Sequence, residues 1–210
     1  MKIVSKWMLV SAVVSLAVLL SMIVGLPAVQ GQASFVRWDI ISLNPTTTPN
    51  TLSAGGVAFA NTSNPGTLKI KLTGFGTFVA PASGETSSAV TGGGTWETFS
   101  CPTSSTCTST GGPGTYEVRG LVSWQFANLA TSTFIDLIDE GRRANGNAVL
   151  RIQYSDGSEG VLGVGCHGPG GPDGIEEGVI ATKGFKTYWT GQPPSGMPFV
   201  DANRTVFHVR

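Results

Sequence analysis

Charged side chains are scarce in this sequence of 210 residues. Asp, Glu, Lys and Arg make up 12% of the chain, and its 13 basic residues balance its 13 acidic ones. A nucleic-acid-binding protein needs a basic stripe to neutralise phosphates, so this balance argues against nucleic acid as a partner. Hydroxyl groups and backbone must cover much of the surface instead.

Residues that bind metals are also few. The chain has two histidines, His167 and His208, and three cysteines. A zinc site built from both histidines and Cys166 would lack the paired ligand spacing of metal-binding motifs. Carboxylates gather at Asp156, in an ordinary turn sequence, and around Glu176, without the alternating oxygen ligands of a calcium loop. We therefore predict neither a metal site nor a cofactor.

Catalytic motifs are missing as well. There is no G-x-S-x-G nucleophile elbow, and the glycine-rich stretch that follows a predicted strand opens no helix, unlike a phosphate-binding loop. Cys166 and His167 are adjacent, and neighbours on a strand point to opposite faces, so the pair cannot act together without a bulge. The sequence favours a protein that is not an enzyme. For an enzyme, the candidates required for turnover are Cys166, Asp156, Glu176 and Glu177.

The beginning of the chain has the pattern of an export signal. Lys2 and Lys6 precede an uncharged run over residues 7–29, and small residues follow it. This pattern predicts a signal peptide over residues 1–33 and a secreted or extracytoplasmic body over residues 34–210. The alternative is a retained membrane anchor, because the run reaches the ~20 residues of a spanning helix. The body lies outside in either case, and the membrane is a partner only if the leader is retained.

The body, with a size typical of one domain, shows the periodicity of strands. Apolar residues recur with period two between turn residues, which predicts an antiparallel sheet. One face of the clearest strand, residues 115–126, is expected to be buried and carries Tyr116, Val118, Val122, Trp124 and Phe126. Further predicted strands cover residues 35–43, 52–60, 94–100, 177–189 and 199–209. Residues 102–113 are expected to be a polar joint, and residues 133–140 are either a helix or a strand.

Glycines on an inward face indicate how the sheet closes. Leu68, Ile70 and Leu72 share one face, and the same parity continues through Gly74 and Gly76. Missing side chains at inward positions allow a sheet to coil sharply. We therefore predict an all-β fold, a single antiparallel β-barrel of about eight strands, with a β-sandwich as the alternative.

A hairpin is predicted over residues 148–166. Its turn lies at Asp156, and Leu162 and Val164 stay on the inner face only if the loop is odd or bulged. In this register we expect Tyr154 opposite Gly160, and Ala148 opposite Cys166.

The cysteines fall into a pair and a single residue. Cys101 and Cys107 are close enough in sequence to form a disulfide in an oxidising compartment. Cys166 ends an apolar strand pattern, where we expect a buried free thiol.

Large aromatic residues near the end of the chain give the best candidate for a contact surface. Tyr188 and Trp189 are adjacent at a strand end, so one of them is expected to be exposed. With His167 on a glycine-rich rim, they form our candidate ligand-binding residues. We interpret the body as a non-catalytic binding module for a small apolar ligand or a sugar. The alternatives are a barrel-mouth enzyme of isomerase or cyclase type and a structural or surface-interaction protein; nothing indicates an oligomeric state.

Four short segments resemble an uncharacterised group of secreted bacterial β-proteins. They begin at Gly92 (GGGTW), Gly114 (GTYEV), Tyr154 (YSDG) and Thr182 (TKGF). At the level of the fold, that group is similar to the small eight-stranded barrels of the dirigent and allene oxide cyclase type. The resemblance implies a barrel and carries no activity, because no catalytic motif of those families is matched.

Overall fold

A computed structural model describes residues 34–210 except 64–65, 82–85, 104–105, 139, 192–194 and 198–199. The predicted leader lies outside the described residues. All regular structure in the described ranges is β, and no helix there has the length and apolar character to cross a membrane. The strands are β1 (Ser34–Asn44), β2 (Thr51–Ala54), β3 (Ala58–Asn61), β4 (Leu68–Leu72), β5 (Phe75–Ala80), β6 (Val90–Thr103), β7 (Thr106–Leu129), β8 (Ile135–Asp136), β9 (Arg142–Tyr154), β10 (Glu159–Cys166), β11 (Gly178–Lys183), β12 (Lys186–Tyr188), β13 (Thr190–Gly191), β14 (Ser195–Met197) and β15 (Val200–Val209).

Six of these strands form a closed antiparallel barrel. β1 pairs with β15 and β5, β5 with β6, β6 with β7, β7 with β9, and β9 returns to β15. The predicted all-β fold and antiparallel barrel are confirmed. The closed ring has six strands, compared with the predicted eight or so, because the remaining strands attach outside it.

The outer strands attach where long ring strands change partner. β9 pairs with β15 up to Ala144 and with β10 from Gly146 onwards. β6 likewise pairs with β5 and then with β4, and β4 pairs with β3. β10 pairs with β11, and β11 pairs with β12. The chain after β12 continues into β13, which pairs with β3. The sheet therefore divides at β9 and again at β6. Residues 186–191 connect the two sets of outer strands, β10–β12 and β3–β4.

Trp38 and Gly76 show why the inner face of the barrel contains glycine. They are opposite each other in the register of β1 and β5, and Trp38 is fully buried. A Cβ atom on Gly76 would lie 2.9 Å from the indole Nε1 of Trp38 and 2.2 Å from the carbonyl oxygen of Thr91. The glycine therefore makes room for an indole whose burial stabilises the fold by about 2–3 kcal/mol.

The prediction that one face of residues 115–126 is buried is partly wrong. Tyr116, Val118 and Trp124 are buried, but Val122 is 36% exposed and Phe126 is 51% exposed. The register between β7 and β9 shifts at three places, from Val118 to Gly120, from Leu121 to Ser123 and from Phe126 to Asn128. Each bulge adds one residue and inverts the alternation, so Leu121 enters the core and Val122 does not.

The hairpin formed by β9 and β10 has the odd loop that was predicted. Its three-residue loop is closed by a hydrogen bond from the Tyr154 N–H to the Ser158 carbonyl oxygen, 2.8 Å, and Gly157 takes the left-handed conformation with φ 85°. The expected partners are wrong by two residues, because Ala148 pairs with Val164, and Gly160 pairs with Ile152. A two-residue difference keeps the parity, so the inner face is as predicted.

For three further segments, the structure either decides between two predicted alternatives or differs from the prediction. Residues 135–136 form β8, which pairs in parallel with β2, so the strand alternative for 133–140 is the one observed. The predicted strand over 177–189 is divided into β11 and β12 by a turn. The expected polar joint at 102–113 instead extends β6 and β7 into a hairpin that carries the Cys101–Cys107 disulfide. Cys166 is free and buried, as predicted.

Candidate ligand-binding groove

Tyr188 and Trp189 lie at a break between two short strands. β12 ends at Tyr188, which is opposite Ala181 of β11 and is 1% exposed in the core. Trp189 is 61% exposed. Side chains alternate along an extended chain, so the inward direction of the tyrosine sends the indole outwards. Of the two aromatic candidates, Trp189 alone can contact a ligand from the surface.

The indole of Trp189 borders a groove of about 510 Å³ on the outer surface of β7, β9, β10 and β11. Gly163 and Gly165, on β10, lie along it. The other outward-facing residues of these strands and their rim are Ser123, Gln125, Asn147, Val149, Gly174, Glu176 and Ile180. The groove is thus bordered by one large ring, polar and aliphatic side chains, and the acidic residues Glu176 and Glu177.

The two glycines allow neighbouring groups to lie directly on β10 beside the groove. Leu162 and Val164 fill the core, so Gly163 and Gly165 are at the outward positions of β10. A Cβ atom at Gly163 would lie 2.5 Å from Cγ1 of Ile180. At Gly165 it would lie 2.2 Å from the carbonyl oxygen of Glu176. Neighbouring groups therefore already occupy the space over both glycines, and a side chain at either position would clash with them.

Two amides also line the groove. Gln125 of β7 and Asn147 of β9 are opposite each other in the register. Within the described part of the chain, neither side chain is hydrogen-bonded to another protein group, and Glu176 has no ion pair. Each amide offers donors and an acceptor, and the carboxylate offers acceptors. The groove can therefore bind a ligand that combines an apolar face with several hydroxyl groups.

His167, the third candidate, lies elsewhere. Its ring Nε2 is 3.2 Å from the carbonyl oxygen of Gly171, and its backbone N–H donates to Oε2 of Glu177 at 2.7 Å. The residue lines a second, smaller cavity and not the groove at Trp189. The structure therefore separates the three candidates into a core residue, a groove residue and a residue of another cavity.

The pKa values of two residues considered for catalysis are shifted by their surroundings. Burial, with a further contribution from Glu177, raises the pKa of the Cys166 thiol, which keeps it protonated and unreactive. Asp156, at the tip of the β9–β10 hairpin, accepts a hydrogen bond from the Lys183 ammonium. That bond and one from Ser158 lower the pKa of Asp156 to about 2. Among the described residues, no group of His, Cys, Asp or Glu could hold a metal ion.

Sequence reasoning missed most of the groove. It treated the glycine-rich stretch as a flexible rim, although Gly163 and Gly165 alternate with the buried Leu162 and Val164. That alternation was the available signal that both glycines lie on the outward face of β10. No local sequence pattern indicated that Gln125 lines the groove, since its position there depends on the pairing of β7 with β9.

Comparisons with known proteins add no functional information. A scan against protein-family models, a search of curated proteins and a search of solved structures each gave no match.

Proposed function

We propose that the protein is a non-catalytic binding module and that the groove at Trp189 binds a neutral sugar. The observation that carries this proposal is the 61% exposure of a tryptophan that borders a groove of about 510 Å³. An exposed indole next to free amides supports a ligand with one apolar and one hydroxyl-bearing face. A sugar ring has both.

Size and charge support the same class of ligand. A groove of about 510 Å³ lies within the usual range for small-molecule sites, roughly 300–1,000 Å³. Its charged lining residues are Glu176 and Glu177, both acidic, so anionic glycans are disfavoured. The open, partly polar surface fits a hydroxyl-rich ligand better than a hydrocarbon.

The proposed site also fits an extracytoplasmic protein. The basic, apolar and small-residue pattern of the first 33 residues supports export. A disulfide between Cys101 and Cys107 supports an oxidising compartment. Fractionation of the expressing cells, with N-terminal sequencing of the exported form, tests this: a full-length cytoplasmic product would contradict it.

Binding of neutral oligosaccharides to the purified protein tests the function. A glycan array identifies candidates, and isothermal titration gives affinities for the wild type and Trp189→Ala. Phe185→Ala is the matched control, because Phe185 is fully exposed at the β11–β12 turn and does not line the groove. Truncating an aromatic anchor costs about 2 kcal/mol, roughly 30-fold in affinity.

The expected result is a neutral glycan whose binding is lost in Trp189→Ala and unchanged in Phe185→Ala. The proposal fails if no neutral glycan binds, or if a bound glycan is retained equally by both variants.

A further inference from the structure

A second cavity, of about 240 Å³, opens where β15 and β10 diverge along β9. β15 pairs with β9 up to Ala144, and β10 takes the same edge of β9 from Gly146. The volume lies just below the roughly 300–1,000 Å³ of sites for drug-sized molecules, so a ligand of this cavity must be smaller. Of the described residues that line the cavity, Glu177 alone also lines the groove at Trp189.

One wall of the cavity is apolar. It consists of residues from the second buried cluster and the segment packed on it, namely Ile41, Leu43, Leu52, Phe134 and Val206. Phe134 is fixed there because the N–H of the next residue, Ile135, donates to the carbonyl oxygen of Asn50 at 3.0 Å. The wall is therefore preformed and presents hydrocarbon surface to a ligand.

The carboxylate of Glu177 has its partners within the protein. Its Oε1 accepts a hydrogen bond from the Thr205 backbone N–H at 2.6 Å, and its Oε2 accepts one from the His167 backbone N–H at 2.7 Å. Burial raises the pKa of Glu177, and these two hydrogen bonds and the charge of Arg204 oppose that rise. The opposite charges of Glu177 and Arg204 thus act on each other and compensate.

Arg143, the remaining charged residue of the described lining, is paired as well. Its Nε lies 3.7 Å from Oδ2 of Asp136, and its guanidinium donates to the carbonyl oxygen of Ser132. A charged ligand would have to displace such a partner or bring an unpaired charge against the apolar wall, and both are unfavourable. The charges around the cavity therefore favour a neutral ligand.

Asn50 provides a polar group that is not used by the fold. Its side-chain amide makes no hydrogen bond within the described part of the chain, and the residue is half-buried at the cavity. Asn50 directly precedes β2, and Leu52 of that strand belongs to the apolar wall. The amide offers both donors and an acceptor beside the hydrocarbon surface.

We infer that this cavity binds a small neutral molecule with a hydrocarbon part and one hydrogen-bonding head group, of which an aliphatic alcohol is the simplest. The hydrocarbon part lies against Ile41, Leu52 and Phe134, and the hydroxyl pairs with the amide of Asn50. A hydroxyl both donates and accepts, so it can pair with either end of an amide. The site does not depend on the sugar-binding proposal.

Three probes that share one hydrocarbon chain test the head group: 1-octanol, octanoate and octylamine. Isothermal titration on the purified protein is expected to show 1-octanol binding about tenfold or more tightly than either charged probe. Asn50→Ala should weaken 1-octanol binding about fivefold, because one hydrogen bond is lost. Gln125→Ala is the matched control, since it removes a free amide that lines the groove at Trp189 instead.

A cavity-filling variant tests the location. Ala130 lines the cavity from a half-buried loop position, and Ala130→Leu should weaken 1-octanol binding about tenfold or more. Ala127→Leu adds the same side chain at an exposed position that does not line the cavity, and should leave the affinity unchanged.

The inference is overturned if no probe binds, or if a charged probe binds as tightly as 1-octanol. Unchanged 1-octanol affinity in Asn50→Ala, or in folded Ala130→Leu, also overturns it. If Ala130→Leu does not fold, Asn50→Ala decides, because the amide of Asn50 holds no other group of the described chain.

Discussion

Tyr188 and Trp189 are consecutive residues whose rings lie on opposite faces of the sheet, with the tyrosine 1% exposed and the indole 61% exposed. Core packing and the proposed ligand binding therefore fall on adjacent positions. The same truncation, made at each residue in turn, should separate the two roles.

Tyr188→Ala should lower the free energy of unfolding by about 3 kcal/mol, because it leaves a cavity in the core. Trp189→Ala should change it by less than about 0.5 kcal/mol, since the indole is largely in water. Urea denaturation of both variants measures the difference. Comparable losses of stability would mean that Trp189 is a packing residue.

Gly165→Ala should destabilise the protein more than Gly163→Ala. The new Cβ atom at Gly165 would lie 2.2 Å from a backbone oxygen of Glu176, whereas at Gly163 it would meet the side chain of Ile180, which can rotate away. Overpacking against backbone costs about 1–3 kcal/mol. Thermal unfolding of the two variants makes the comparison, and the reverse order would contradict this account of the packing over β10.

Asp156→Asn should make the protein less sensitive to acid. The hydrogen bond from Lys183, with that from Ser158, lowers the pKa of Asp156 from 3.8 to about 2 in the folded state. The unfolded chain therefore takes up the proton first, so the stabilisation is present above about pH 4 and is lost as the pH falls towards 2. Urea denaturation at pH 5, 3 and 2 should show a smaller loss for Asp156→Asn than for the wild type.

Asp173→Asn is the control for that experiment, because Asp173 is exposed and has no ion pair in the described part of the chain. If both variants follow the wild-type curve, the contact between Asp156 and Lys183 contributes nothing to acid stability.

Glu177→Gln should destabilise the protein although it conserves shape. Both carboxylate oxygens accept backbone N–H groups, from Thr205 and His167, and an amide would place a donor against one of them. Leaving a backbone N–H unpaired costs about 1–3 kcal/mol. Glu176→Gln, at the exposed neighbouring position, should change the unfolding free energy by less than about 0.5 kcal/mol. If the denaturant melts of the two variants coincide, Glu177 does not contribute to stability by holding β15 against the segment that follows β10.

The sequence predicted the class of fold well because period-two patterning follows directly from strand geometry. Inward glycines also predicted a closed sheet, and Gly76 opposite Trp38 shows the reason. The number of ring strands was not predictable in the same way, since it depends on where β9 and β6 change partner. Val122 was misplaced because bulges interrupt the alternation without a local sequence signal.

The candidate site was predicted in part. An exposed aromatic at 188–189 follows from two adjacent rings on an extended chain, and the structure identifies it as Trp189. Gln125 and Asn147 could not be paired with it from the sequence, because strands far apart in the chain bring them together. Export and the resemblance to dirigent-type barrels stay predictions.

The central claim is that a neutral sugar stacks on Trp189 in the groove. The most direct test is a titration of the purified, isotope-labelled protein with a glycan selected on the array, followed by nuclear magnetic resonance. The account predicts that the indole N–H signal of Trp189 and the side-chain amide signals of Gln125 and Asn147 shift together. The indole N–H signals of the buried Trp38 and Trp124 should not shift. Shifts confined to other surfaces, or an unchanged Trp189 signal at saturating glycan, would contradict it.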